Sequence, residues 1–142
     1  DAFNTLPADM QTRLRGLNAV HNLMSGSGAD SKVALSDAQR AKVPDATHPV
    51  VRRHPETGRE ALFVNPGFTR RIEGMDAEES DALLQQLYDH ATEERFTYRH
   101  KWRPGDLTLF DGRASMHSAT GGYTSADHRT LWRAFMGGRY AA

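Results

Sequence analysis

With 142 residues, 38% of them apolar, the chain has the material for one soluble domain with a modest core. Its 18 basic and 18 acidic residues cancel, so bulk electrostatics gives no reason to expect nucleic acid or an acidic membrane surface as a partner. The absence of cysteine excludes disulfides, thiolate metal sites and cysteine nucleophiles. No apolar run reaches bilayer length, and the opening Asp1-Ala2-Phe3-Asn4 lacks the basic and apolar regions of a signal peptide. The expected location is the cytoplasm, and the non-initiating Asp1 points to a fragment or a processed product.

In chain order, Pro7 suits a first helical turn, and Met10, Leu14, Leu17, Val20 or His21, and Met24 recur at spacings of three and four. These spacings predict an amphipathic helix over 7–24. Ser25-Gly26-Ser27-Gly28 ends it, and 25–47 reads as a loop, with at most a short helix near Ser36 to Lys42. Such a loop is either a lid over a site or a plain surface excursion. Pro49-Val50-Val51-Arg52 and Glu60-Ala61-Leu62-Phe63-Val64 flank the turn His54-Pro55-Glu56-Thr57-Gly58, the pattern of a hairpin. Asp76 and Glu79 form a capping box for a helix whose apolar stripe is Leu83, Leu84, Leu87, Tyr88 and Ala91. Strands are expected at Phe96 to Trp102, at Leu107 to Asp111 after the turn Arg103-Pro104-Gly105-Asp106, and at Arg129 to Met136. The elements together predict a single α+β domain, 1–142, built on antiparallel sheet.

A neutral imidazole at a strand end is a good ligand for divalent iron, and the common oxygen-activating set is two histidines and one carboxylate. His117 supplies one. The near pair would be His-x-Asp or His-x-Glu on one side of a strand. The seven histidines are followed two positions on by Leu23, Val50, Glu56, Thr92, Trp102, Ala119 and Thr130. Only His54-Pro55-Glu56 fits by letter, and it lies in turn chemistry rather than in a strand. Arg129 and Arg133 are four apart, so in a strand both guanidinium forks share one face. Two positive charges there need anions: either a bound carboxylate or sulfonate, or buried acids such as Asp106 or Asp111.

The run Trp102-Arg103-Pro104-Gly105-Asp106-Leu107-Thr108-Leu109-Phe110-Asp111-Gly112-Arg113-Ala114-Ser115-Met116-His117, followed by Arg129-Thr130-Leu131-Trp132-Arg133, resembles the taurine and aryloxyalkanoate dioxygenases. These are Fe(II)- and 2-oxoglutarate-dependent enzymes. Upstream, His48 to Arg52, His54 to Gly58, Leu62 to Asn65, Phe68 to Ile72 and Glu79-Ser80 with Leu83-Leu84 follow the second half of the same family, so the resemblance runs from about residue 3 to 137. It implies a double-stranded β-helix, or jelly roll, with flanking helices, of which this chain would be the C-terminal part. It implies His117 as the distal histidine ligand of iron, Arg129 as the partner of the far carboxylate of 2-oxoglutarate, and Arg133 as the group that holds or flanks an acidic substrate. Asp111 and Arg113 would be scaffold, while Trp102 and Trp132 would be core or interface aromatics. Gly112 departs from the Asn more usual at its position.

The implied reaction uses Fe(II), 2-oxoglutarate and O2 to hydroxylate a small anionic molecule (a sulfonate, sulfate ester or aryloxy acid) with release of succinate and CO2. Family members carry their His-x-Asp ligands in an N-terminal half that these residues do not include. The chain alone is therefore expected to be inactive, and to associate as a homo-oligomer or with that missing half. It would be the remainder of a larger enzyme, a natural truncation, or a part completed by another chain. The alternative is a catalytically inactive remnant that binds anions or partners through Arg129 and Arg133. A further alternative, a cupin-like metal site joining His117 to His100 or His128, requires those rings to converge.

Overall fold

The computed structural model describes residues 1–22, 44–122, 124, 126–128 and 130–134. After a 3-10 turn at Phe3–Thr5, helix α1 (Ala8–Arg15) starts behind Pro7 and stops at Gly16, whose N–H bonds back to the Arg13 carbonyl. The helix expected over 7–24 is thus half as long as its spacing predicted. Asn18–His21 instead form strand β1, with Ala19 and Val20 buried. The pattern Leu17, Val20, Met24 satisfies a helical stripe, but a glycine at 16 weakens helix continuation and two sheet partners reward extension. Met24, the Ser25 to Gly28 stop and the short helix near Ser36 to Lys42 lie outside the described residues. The end of the expected 25–47 loop is corrected, because Ala46–Pro49 form strand β2.

β1 is the centre of a three-stranded antiparallel sheet ordered β2-β1-β5, where β5 is Thr69–Ile72. Ala19 sits opposite His48 on one side and Ile72 on the other. The register against β5 slips at Val20/His21, a local irregularity that re-aims the end of the strand. Val51–Arg53 (β3) and Glu60–Leu62 (β4) form the expected hairpin. Its turn closes through Gly58 N–H to the His54 carbonyl, with Gly58 at φ +69°, a conformation that favours glycine. Val50 joins the two sheets: its N–H donates to the Leu17 carbonyl and its own carbonyl accepts from Phe63 N–H.

Helix α2 (Ala77–Ala91) begins as its sequence predicted, with the Asp76 carboxylate accepting the Glu79 N–H at 2.9 Å. The second half of the box does not form. The Glu79 side chain reaches Arg13 of α1 instead, at 2.7 Å, an exposed pair that adds at most about 1 kcal/mol. Leu83, Leu84 and Leu87 are buried against Phe3, Leu6, Leu14, Ala19, Val50, Val64 and Ile72, with Tyr88 partly buried at the edge of this core. Ser80 is fully buried in the same helix, and its Oγ accepts the Ile72 N–H at 2.8 Å, which ties α2 to the edge of β5.

Beyond α2 a 3-10 turn, Glu94–Phe96, is followed by turns and extended chain without an assigned strand among the described residues. The strands expected at 96–102 and 107–111, and at 129–136 as far as it is described, are therefore not formed as ladders. Their alternation is real, but alternation needs a neighbouring strand and a face to cover. Leu107 is 94% exposed and Trp132 97% exposed, so neither role for those side chains is filled here. Among the described residues there are two small antiparallel sheets and two α-helices, an α+β arrangement in which the jelly roll implied by the resemblance is not directly shown.

Two substitutions test this packing by guanidinium unfolding. Leu87→Ala should cost about 2–5 kcal/mol by opening a cavity in the core. Ser80→Ala should cost about 1–3 kcal/mol, because the Ile72 N–H stays buried without an acceptor; parental stability in Ser80→Ala would show that this bond does not hold α2 to the sheet.

Candidate functional site

His117 lies on an exposed stretch with the Phe110 ring beside it, the centroids 4.5 Å apart. Its imidazole suits one ligand position of a divalent metal. Among the described residues, however, no group of three or more His, Cys, Asp or Glu side chains could hold a metal ion. His100 turns its Nε2 to Asp106 Oδ2 at 3.0 Å and packs edge-on against Trp102, while His128 is exposed. Arg129 lies outside the described residues. Arg133 is described and exposed, on a stretch without strand assignment.

The acids considered as partners for those arginines have other partners among the described residues. Asp106 caps its own turn by accepting the Arg103 N–H at 2.9 Å and receives His100. Asp111 is the centre of a denser knot. One carboxylate oxygen accepts the Arg113 N–H at 2.9 Å, the Arg113 guanidinium binds both oxygens, and His54 Nε2 stands 2.8 Å from Oδ2. The Arg113 guanidinium first, the His54 contact next and the Arg113 backbone N–H third hold the Asp111 carboxyl well below the usual carboxylate range. The scaffold role expected for Asp111 and Arg113 matches this geometry.

Residues that sequence reasoning passed over gather on the strands. The His21, His48 and Phe63 rings form a triangle with centroids 5.5–5.6 Å apart, and the Arg52 guanidinium lies over Phe63 at 4.5 Å. His21 Nδ1 shares a hydrogen bond of 3.1 Å with Thr69 Oγ1, while its Nε2 is buried with no partner among the described residues. With 18–21 assigned to a helix, His21 falls on an apolar stripe and its closeness to His48 is invisible. Extended pairing of 18–21 with 46–49 is the signal that would have found it. A recess of about 430 Å³, lined by Thr92, Glu94, Thr97 and Arg99, contains none of the site residues expected from the sequence.

The family described as taurine catabolism dioxygenase TauD, TfdA family matches residues 1–135. The chain is 37% identical over 116 residues to the alpha-ketoglutarate-dependent 2,4-dichlorophenoxyacetate dioxygenase of Cupriavidus pinatubonensis strain JMP 134, covering 82% of this chain and 40% of that protein. Its fold is similar to the crystal structure of a taurine dioxygenase from Burkholderia xenovorans, with a TM-score of 0.59, 36% identity, and coverage of 73% of this chain and 32% of the other. It is also similar to AAD-2 in complex with Mn(II) and N-oxalylglycine, with a TM-score of 0.63, 27% identity, and coverage of 72% and 40%. The chain therefore spans well under half the length of these relatives.

Burial of the His21 ring first, and the neighbouring His48 second, lower its proton affinity below the ordinary imidazole value of 6.5. A group with a depressed folded value binds fewer protons folded than unfolded, so its contribution is intact above about 6.5 and is eroded as the pH falls from there toward the folded value. The thermal midpoint should decline across that window, and His21→Gln should flatten the decline. A parental slope in His21→Gln would assign the window to another group.

Proposed function

The chain belongs to the TauD/TfdA dioxygenase family, and from that membership we propose that it is the C-terminal part of an Fe(II)- and 2-oxoglutarate-dependent dioxygenase. The observation that carries this is the match over residues 1–135, which includes the ordered series from Trp102 to His117. The substrate is a small organic anion of the sulfonate, sulfate ester or aryloxy acid type. The names of the relatives, a taurine dioxygenase and a dichlorophenoxyacetate dioxygenase, support that class. The balance is substrate C–H, 2-oxoglutarate and O2 giving substrate C–OH, succinate and CO2.

In this reading His117 is one protein ligand of the iron, Arg129 pairs with the far carboxylate of 2-oxoglutarate, and Arg133 holds or flanks the acidic end of the substrate. When bound, iron supplies the oxygen activation. His117 by itself does not make an iron site, so in this reading the remaining ligands come from polypeptide beyond these residues, either an N-terminal half or another chain. The exposure of Leu107, Leu109 and Trp132, at 94%, 79% and 97%, supports such a covering partner, since alternating apolar side chains of this size are ordinarily packed. Location in the cytoplasm belongs to the same proposal. No helix of the described residues is long and apolar enough to cross a membrane.

The test compares these 142 residues with the longer polypeptide that carries a His-x-Asp upstream, measuring Fe(II)-dependent succinate formation from 2-oxoglutarate. The longer protein should turn over, the 142 residues alone should not, and His117→Ala should abolish turnover in the longer protein. Succinate formation by the isolated chain would overturn the need for a completing part. Metal-independent 2-oxoglutarate binding without turnover in the longer protein would favour an inactive anion-binding remnant.

A further inference from the structure

We propose that His54 is a positioning residue for His117, acting by holding the Asp111 turn against the β3–β4 hairpin; this rests on His117 being a metal ligand. The argument begins inside the hairpin turn. His54 Nδ1 accepts the backbone N–H groups of Glu56 at 3.2 Å and Thr57 at 3.3 Å, so that nitrogen carries no proton. The proton of the neutral ring is then on Nε2, which donates to Asp111 Oδ2 at 2.8 Å. The two backbone donors thus select the tautomer that the carboxylate requires. The His54 side chain is 11% exposed and held by its own turn, whereas the Asp111 side chain is 40% exposed, so the rigid partner of the pair is the histidine.

On the other side of this bond, Asp111 organises the approach to His117. Its carbonyl accepts from Ala114 N–H and from Ser115 Oγ, and its carboxylate takes the Arg113 N–H and guanidinium, so residues 111–115 form one knot. Phe110, on the other flank of Asp111, packs its ring against His117. The contacts described here that cross from this knot to the body of the fold, His54–Asp111 and the longer Arg113–Glu56 ion pair at 3.9 Å, both land on the hairpin turn. His54 therefore fixes where the His117 segment stands relative to the sheets. Groups that orient metal ligands from behind typically change metal affinity by about 10–100-fold when removed.

The experiment uses the longer polypeptide proposed above, which carries a His-x-Asp upstream, and measures two quantities: Mn(II) affinity, and amide hydrogen exchange over residues 112–117. His54→Asn keeps an acceptor for the Glu56 and Thr57 N–H groups but is too short to reach Asp111, so the turn survives and only the tether is cut. Its expected result is faster exchange over 112–117 and roughly tenfold weaker Mn(II) binding. His54→Gln, whose amide N–H reaches further, should recover most of both losses. Asp111→Asn, which also breaks the two-oxygen contact with Arg113, should combine with His54→Asn to less than the sum of the two single losses, since the His54–Asp111 contact is common to both. Parental Mn(II) affinity in His54→Asn, with or without a lowered melting temperature, would overturn the positioning role and leave His54 a purely structural residue. His117→Ala distinguishes the two failures. Parental Mn(II) affinity in that variant would overturn the ligand assignment and the positioning role with it, whereas lost affinity in His117→Ala beside parental affinity in His54→Asn would overturn the positioning role alone.

Discussion

The pairing of β1 on both its edges is the constraint on which the described fold depends. The strand has four residues, and its partners arrive from distant parts of the chain, so ring closure costs entropy before any contact compensates for it. Its entry is set by the turn at Gly16 and Leu17, and its exit by Asn22 N–H donating to the Phe68 carbonyl at 2.8 Å. A slip of one residue would bring Asn18 to the face where Ala19 is buried and turn His21 away from His48 and Phe63. Burial of Ala19 in the core that also holds Ile72 and Leu87 penalises that slip. The triangle of rings is thus a product of sheet register as much as of residue type.

The C-terminal third obeys a different economy. Its turns are satisfied locally by short polar contacts: Arg103 with Asp106, Asp111 with Arg113, and Thr124 with Asp127. Its large apolar side chains are not covered among the described residues. Capped turns need only neighbours in sequence, whereas a ladder needs another strand, and these are separable requirements. A segment can therefore have its turns in place while the face it would bury stays exposed. That combination is what the proposed longer enzyme would resolve, with the apolar row closing against further polypeptide.

What was legible in the sequence follows the same division. α2 was readable because cap and stripe are local: Asp76 sits where it accepts the Glu79 N–H, and Leu83, Leu84 and Leu87 follow at helical spacing. The β3–β4 hairpin was readable from the His54 to Gly58 turn. β1 was not, since Leu17, Val20 and Met24 fit a helix equally well and the deciding information is that the distant segments 46–49 and 69–72 fold back onto it, beyond the reach of local pattern analysis. Glu79 shows the same limit at one side chain, because its choice of Arg13 over the cap depends on where α1 packs. At the proposed site, His117 was singled out from a motif, while His54 looked like a turn residue or a poor metal pair. Its bond to Asp111 joins positions that no short window contains.

Val50 carries a consequence of its own. It belongs to neither sheet by assignment, yet its N–H and carbonyl serve one sheet's approach and the other's strand end, and its side chain is fully buried. The hairpin is therefore not a loop projecting from the body but a lever pinned at a fixed fulcrum in the core. A displacement at the His54 end is opposed by the packing around Val50, so the far segment takes its reference from the buried core.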